Sequence, residues 1–351
     1  MDTLIIEKKN EVYITVDCDP NIQREISEFF TFYVPGYKFM PAFRNRMWDG
    51  KIRLYSQKTK EIYFGLFPYI RAFAEERGYQ IVSGEDVEIN NKVDKEIVKK
   101  FSNSLGQKFE ARDYQIDAIY HSLKFNRALL LSPTASGKSF IIYSLIRYYS
   151  HLIKDSPNNR ILLIVPTTSL VEQMYSDFQS YGWNVKKNCH RLYSGYSNQT
   201  NKKVLISTWQ SLYKLPKKYF EQFGVVFGDE AHLFKSKSLT EIMTKLEDCK
   251  YRIGLTGTLD GAQTHKLVLE GLFGAVNKVT STRKLMDKKQ LSNLVVRCLI
   301  LKHTEENSKM VTSGKYQDEV DYLVSSKSRQ NFIRNLALKL EGNTLCLFQL
   351  V

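Results

Sequence analysis

The sequence predicts an α/β protein in which a parallel sheet covered by helices follows a smaller α+β unit at the N-terminus. Three observations carry this reading. Residues 1–82 hold segments that alternate at period two, such as Val12, Ile14 and Val16, beside two helical stretches. From Arg112 onward, continuous apolar runs bounded by turns alternate with amphipathic patterns, the texture of a sheet buried on both faces. The composition agrees: 351 residues, 43% hydrophobic and 25% charged, are enough for two sizeable cores and exclude disorder as the whole account.

In chain order, the N-terminal unit pairs its strands with a helix around Ile22, Ile26 and Phe29 and a second from Pro68 to Gly78, opened by proline and closed by glycine. Residues 83–110 are polar and charge-rich, with one short helix near Val93 to Phe101, and read as a linker. The α/β domain takes residues 111–280, with strands at Ala128 to Leu131, Ile161 to Val165, Val204 to Ile206, Val225 to Phe227 and Arg252 to Leu255. Residues 281–351 read as a connector: a helix from Thr282 to Leu291, a strand from Leu294 to Leu301 and a helix from Ser326 to Leu340. The run Thr344 to Phe348 looks like the first strand of a further, incomplete lobe.

Lys and Arg number 51 against 37 Asp and Glu, a net charge of +14, which favours a polyanionic partner. Nucleic acid fits better than a membrane, since no apolar run approaches the roughly 18 residues of a spanning helix. The first residues lack the basic and long apolar segments of a signal peptide, so a cytoplasmic protein is expected. Five scattered cysteines and six histidines form no close pair with zinc-ligand spacing, and read as reduced thiols and ordinary side chains.

Ser132-Pro-Thr-Ala-Ser-Gly-Lys-Ser139 lies between an apolar strand and a helical run, the context of a phosphate-binding P-loop. Backbone amides from Pro133, Thr134, Ala135, Ser136 and Gly137 onward would surround phosphates, Lys138 would reach the β and γ groups, and Ser139 would ligate Mg²⁺. Proline has no amide of its own, so Pro133 contributes shape only. Ser132 replaces the usual first glycine. Asp229-Glu230-Ala231-His232 follows the apolar run Val225-Val226-Phe227. Adjacent carboxylates at a buried strand end are costly as core but useful beside a metal: Asp229 can hold Mg²⁺ and Glu230 can deprotonate an attacking water. Thr256-Gly257-Thr258 ends the next strand, where the Thr256 and Thr258 hydroxyls could sense the γ phosphate of ATP.

In this order, and behind Arg112-Asp113-Tyr114-Gln115, these elements resemble the first RecA-like lobe of superfamily 2 helicases and translocases in their DEAH form. The resemblance implies that Gln115 reads adenine with Arg112 beside it, and that His232 couples the acidic motif to a second lobe. It also implies that Pro166, Thr167 and Thr168, with Thr208 and Gln210 of Ser207-Thr208-Trp209-Gln210-Ser211, hold strand phosphates. These same hydroxyls could instead cap the helices that follow, and the two roles are compatible.

The stretch Gly36-Tyr-Lys-Phe-Met-Pro-Ala-Phe-Arg-Asn-Arg-Met-Trp-Asp-Gly-Lys-Ile-Arg-Leu54 is similar to the N-terminal domain of UvsW-type phage helicases. That resemblance covers nearly the whole chain and implies a DNA-binding N-terminal domain, ATP and Mg²⁺ as cofactors, and remodelling of branched or single-stranded DNA or RNA–DNA hybrids in phage recombination, repair and replication within the host cytoplasm. From the residues alone, positions 36–60 carry a net charge of +6 through Lys38, Arg44, Arg46, Lys51, Arg53, Lys58 and Lys60 against Asp49. Trp48 and four other rings interleave with these cations, a pattern suited to phosphates and exposed bases, with Asp49-Gly50 read as a turn between two extended pieces.

The arginine-finger sequence Gln-x-x-Gly-Arg-x-x-Arg, which the family carries on a second lobe, does not occur; Gln330-Asn-Phe-Ile-Arg334 lacks the glycine. The expectation is a truncated chain, weakly active alone, or one served by a second-lobe polypeptide. Two other classes remain open: a nucleotide-binding DNA-binding or annealing module without useful turnover, and a P-loop ATPase or kinase for a small molecule.

Overall fold

The computed structural model describes residues 2–259, 261–292, 295–312 and 314–347, with the side chains of all but Thr264 and Met310. The N-terminal sheet is built from β1 (Thr3–Lys8), β2 (Tyr13–Asp17), β5 (Tyr55–Ser56), β6 (Glu61–Tyr63) and β7 (Gln80–Ser83), in the order β5-β6-β2-β1-β7. Between them, β3 (Thr31–Tyr33) and β4 (Lys51–Arg53) pair antiparallel as a separate ribbon. The period-two reading holds: Val12, Ile14 and Val16 are buried with Leu4 and Ile6 of β1. Helices Pro20–Phe29 and Phe67–Arg77 add Ile22, Ile26, Ile70 and Phe73 to that core. Asp19 caps the first helix by accepting from the Asn21 amide at 2.8 Å. Gly78, at φ +70°, ends the second. Phe29 lies on the rim, and its neighbour Phe30 is buried in its place.

The larger sheet comprises β8 (Arg127–Leu131), β9 (Arg160–Val165), β10 (Cys189–Leu192), β11 (Val204–Thr208), β12 (Phe223–Asp229), β13 (Tyr251–Thr256) and β14 (Val276–Lys278). Its order is β10-β11-β9-β12-β13-β8-β14, and every neighbouring pair is parallel. The five expected strands are all present, each longer by one to four residues. The edge strands β10 and β14 were not anticipated, because half-solvated edges such as Cys-His-Arg-Leu show no continuous apolar run.

Residues 1–292 form one compact unit. The segment 83–110, polar as it is, lies against the lobe: Val87, Val98 and Leu105 are buried, and the Asn91 side chain donates to Leu123 O at 2.9 Å. Its helix runs Lys95–Asn103. Arg127 of β8 pairs with Glu11 between β1 and β2 at 3.0 Å, and Tyr69 donates to Glu270 at 2.6 Å. The Thr282 helix stops at Asp287.

Residues 293–351 form the other unit, with helices Glu305–Thr312, Tyr316–Ser325 and Lys327–Lys339, the last capped by Ser326. The strand expected from Leu294 to Leu301 is not formed by its described residues 295–301, and Leu294 lies outside the described residues. Residues 344–347 likewise form no strand, and Phe348 lies outside the described residues. Both runs are exposed, with Ile300 and Leu347 almost fully in solvent, so they lack the neighbouring strand that would fix an extended backbone. No helix among the described residues is long and apolar enough to cross a membrane.

Candidate functional site

The motifs converge because each closes a strand at the carboxyl edge of one parallel sheet, the edge where open α/β sheets bind ligands. The chain leaves β8 through Ser132 and enters helix Lys138–Leu152 at Gly137, which caps it at φ +80°. A Cβ at Gly137 would collide with the Gln115 side-chain amide, so both conformation and space demand glycine there. Ala135 also adopts a positive φ, 62°. Ser132 is buried, and its hydroxyl hydrogen-bonds to Ser136 Oγ at 2.6 Å, while Ser136 N donates to Pro133 O at 3.2 Å. The departure from glycine thus adds an internal brace to the loop.

Asp229 ends β12, and Glu230 turns the chain at φ +50°. Lys138 Nζ donates to Glu230 Oε1 at 3.0 Å. Glu230 Oε2 lies 3.3 Å from His232 Nδ1, which shares a 3.0 Å hydrogen bond with Thr256 Oγ1. Since the Thr256 proton goes to Thr258 O at 2.8 Å, the imidazole proton belongs on Nδ1. Ser132 N donates to Thr256 O at 2.8 Å, and a side chain at Gly257 would sit 3.7 Å from Lys138 Nζ. The structure therefore brings Ser132–Ser139, Asp229, Glu230, His232 and Thr256–Thr258 into one cluster.

Asp229 is 3% exposed, and burial, with the adjacent Glu230 charge, pushes its carboxyl up to about 6 against the pull of Lys138. Its Oδ1 is buried and finds no hydrogen-bond partner among the described residues. An orphaned carboxylate oxygen beside a phosphate loop fits a hard divalent cation, so the residues present suit Mg²⁺. Ser139, the second expected ligand, is engaged elsewhere by its hydroxyl: it lies 2.9 Å from Tyr181 Oη.

Gln115 is 4% exposed, and its amide is committed on both sides: Oε1 accepts from Arg112 N and Nε2 donates to Ser136 O, each at 2.9 Å. It holds the phosphate loop against the helix Asp113–Phe125. The Arg112 guanidinium donates to Tyr114 Oη at 2.7 Å, and Tyr114 donates in turn to Ser136 O at 3.2 Å. Tyr114 and Tyr181 were missed, since their only signal is proximity across the fold.

Thr167 caps helix Thr168–Ser180, accepting from Leu170 N at 3.3 Å, and Thr167 and Thr168 are exposed beside the half-buried Pro166. Thr208 is buried and pairs with Ser211 Oγ at 3.1 Å rather than with a backbone amide. Gln210 is exposed.

The basic segment differs from the extended pair expected around Asp49-Gly50. Before the turn the chain forms two short helical pieces, Tyr37–Phe39 and Pro41–Arg44. Pro41 starts the second, and stacking of Tyr33 on Tyr37 (4.6 Å) and Phe43 edge-on to Tyr37 (4.7 Å) fixes the fold of the tip. Trp48 is half-buried, donating Nε1–H to Lys51 O at 2.9 Å. Arg53 pairs with Asp49, and Lys60 with Asp17 at 2.6 Å. Lys38, Arg44, Arg46 and Trp48 line an open hollow of about 630 Å³.

A parallel sheet with a phosphate loop after β8, an acidic pair on β12 and a hydroxyl turn on β13 defines a RecA-like P-loop lobe of the superfamily 2 helicase type. Two family models match the chain: "DNA helicase UvsW, N-terminal" over residues 6–83 and "Type III restriction enzyme, res subunit" over residues 108–261. The ATP-dependent DNA helicase uvsW of Enterobacteria phage T4 is 33% identical over 337 residues, 93% of this chain and 66% of that protein. A crystal structure of the T4 UvsW helicase superposes with a TM-score of 0.71 at 31% identity, covering 79% of this chain and all of that one; a second gives 0.72 at 29%, covering 97% and 67%. The chain belongs to the UvsW helicase family. The DNA 3'-5' translocase XPB2 of Sulfurisphaera tokodaii is 25% identical over 206 residues, 58% of this chain and 43% of that protein. The chain thus spans just under two thirds of the phage relative and less than half of the archaeal one.

Proposed function

We propose that this chain is the ATP-driven part of a helicase or translocase that remodels branched DNA or RNA–DNA hybrids in phage recombination, repair and replication, in the host cytoplasm. The observation that supports it best is the pairing of Lys138 with Glu230 beside the unsatisfied Asp229 oxygen. Lys138 and the loop amides bind the β and γ phosphates, and Asp229 and Ser139 would hold Mg²⁺, which would supply positive charge against the charge developing on phosphate. Glu230, released from Lys138, orients the attacking water and takes its proton. His232 and Thr256 are hydrogen-bonded to each other beside Glu230 and respond when the γ phosphate leaves. Gln115 keeps one donor for adenine while bracing Ser136, with Arg112 alongside.

On the nucleic-acid side, Thr167, Thr168 and Gln210 contact phosphates from the lobe, with Pro166 and Thr208 shaping the turns that present them. Lys38, Arg44, Arg46, Lys51 and Arg53 contact DNA from the N-terminal tip, and Trp48 stacks on a base. The 351 residues contain no Gln-x-x-Gly-Arg-x-x-Arg sequence, so turnover of this chain alone is slow, and a second-lobe polypeptide raises it. That same sequence fact favours a second reading, a nucleotide-responsive DNA-binding module. Steady-state ATP hydrolysis with and without branched DNA separates the two. DNA-stimulated turnover abolished by Glu230→Gln supports the enzyme, whereas DNA binding with no turnover, even when a second lobe is supplied, supports the module.

A further inference from the structure

Tyr181 stands directly after helix Thr168–Ser180, and its hydroxyl lies 2.9 Å from Ser139 Oγ, 42 residues earlier in the chain. The ring is held from several sides: Phe140 and Tyr143 on the P-loop helix at 5.6 and 5.1 Å between centroids, and Phe109 at 5.8 Å.

A serine hydroxyl ligates a hard cation through an oxygen lone pair, so its single proton must point to an acceptor on the far side. Without such an acceptor the hydroxyl rotates freely and presents the lone pair only part of the time. We propose that Tyr181 is a positioning residue for Mg²⁺ binding, accepting the Ser139 proton and turning the serine lone pair toward the cation. This rests on the reading of Ser139 as a metal ligand. The Tyr181 phenol oxygen has lone pairs to accept that proton while its own proton points away from Ser139. Because Tyr181 directly follows the helix capped by Thr167, the element that presents the candidate phosphate-contacting threonines also sets the metal ligand.

The test measures how the affinity of the 351-residue chain for a fluorescent, non-hydrolysable ATP analogue depends on Mg²⁺ concentration, with the metal-free affinity in chelator measured alongside. Tyr181→Phe keeps the ring packing and deletes only the hydroxyl. It is expected to raise the Mg²⁺ concentration for half-maximal effect about 10-fold, leaving metal-free affinity unchanged. Ser139→Ala should do the same, and Ser139→Ala with Tyr181→Phe should be no worse than Ser139→Ala alone. If Ser139→Ala shifts the Mg²⁺ dependence and Tyr181→Phe does not, the positioning role is overturned while the ligand role of Ser139 survives. If Ser139→Ala itself leaves the dependence unchanged, the metal-site reading falls and the proposal with it. A shift in metal-free affinity equal to the shift with Mg²⁺ would show that Tyr181 only supports the loop, and would also overturn it.

Discussion

Lys138 Nζ rests on Glu230 Oε1 at 3.0 Å, so the cation proposed for phosphate and the carboxylate proposed for water occupy each other. On that reading a bound triphosphate parts them. Glu230→Gln is therefore expected to bind nucleotide at least as tightly as the parent while losing turnover, and Lys138→Ala to bind about 10-fold to 100-fold more weakly, as befits charged hydrogen bonds. Equilibrium titration with a labelled ATP analogue reads both. Equal affinity of Lys138→Ala and a folded parent would remove Lys138 from the site.

Asp229 carries a pH signature. Its carboxyl sits at about 6 against an ordinary 3.8, so its contribution to stability is complete below the lower value and is lost as pH rises through the upper one. The difference corresponds to about 3 kcal/mol. In the metal-free chain Asp229→Asn should raise stability at pH 7 by about 1 to 3 kcal/mol and flatten the loss of stability between about pH 4 and 7. Denaturant melts across that range, in chelator, check both. Mg²⁺ dependence of nucleotide binding, by contrast, should disappear in the variant.

Glu11 behaves in the opposite sense. Burial pushes its carboxyl up, but the Arg127 and Lys8 charges outweigh this and hold it below the usual 4.5. Stability from this group is present above 4.5 and falls as the medium is acidified through the lowered value. Glu11→Gln leaves the buried Arg127 without its counter-charge, and about 3 to 5 kcal/mol of stability should go with it. A denaturation midpoint indistinguishable from the parent would contradict the pairing.

At the N-terminal tip the cations are unequal. Arg53 is already neutralised by Asp49, whereas Arg44 and Arg46 are exposed and line the open hollow with Trp48. Arg44→Gln with Arg46→Gln should therefore weaken DNA binding more than Arg53→Gln, and should reduce the log–log salt slope by about 0.7 to 0.9 for every phosphate that is no longer neutralised. Trp48→Phe, which keeps a ring but cannot donate to Lys51 O, separates stacking from support of β4. If the double arginine variant is folded and keeps the parent's affinity and slope, DNA is held by the lobe instead.

Much of the lobe was legible because its strands are buried on both faces: Val225-Val226-Phe227 and Ile161 to Val165 admit no other placement, and the loops after them carry the chemistry. Position was readable, partnership was not. Gln115 was visible as a motif residue, yet its hold on Ser136 depends on a helix folded over the loop. The Ser139–Tyr181 and Arg127–Glu11 bonds join residues 42 and 116 positions apart, and no local pattern encodes such pairs. At the tip, alternating basic and aromatic residues suggested extended pieces, but Pro41 and the clustering of Tyr33, Tyr37 and Phe43 favour short helical pieces instead.

The seam between the two sheets has a mechanical meaning. At Gly65 a side chain would collide with the backbone of Glu270 and Gly271, and at Gly271 one would press on the Tyr63 side chain at 2.8 Å. Main chain lies on main chain there, and Arg127 is bonded across to Glu11 close by. The N-terminal sheet is therefore seated directly on the lobe, and a side chain added at Gly65 or Gly271 would wedge the two sheets apart before it disturbed either one.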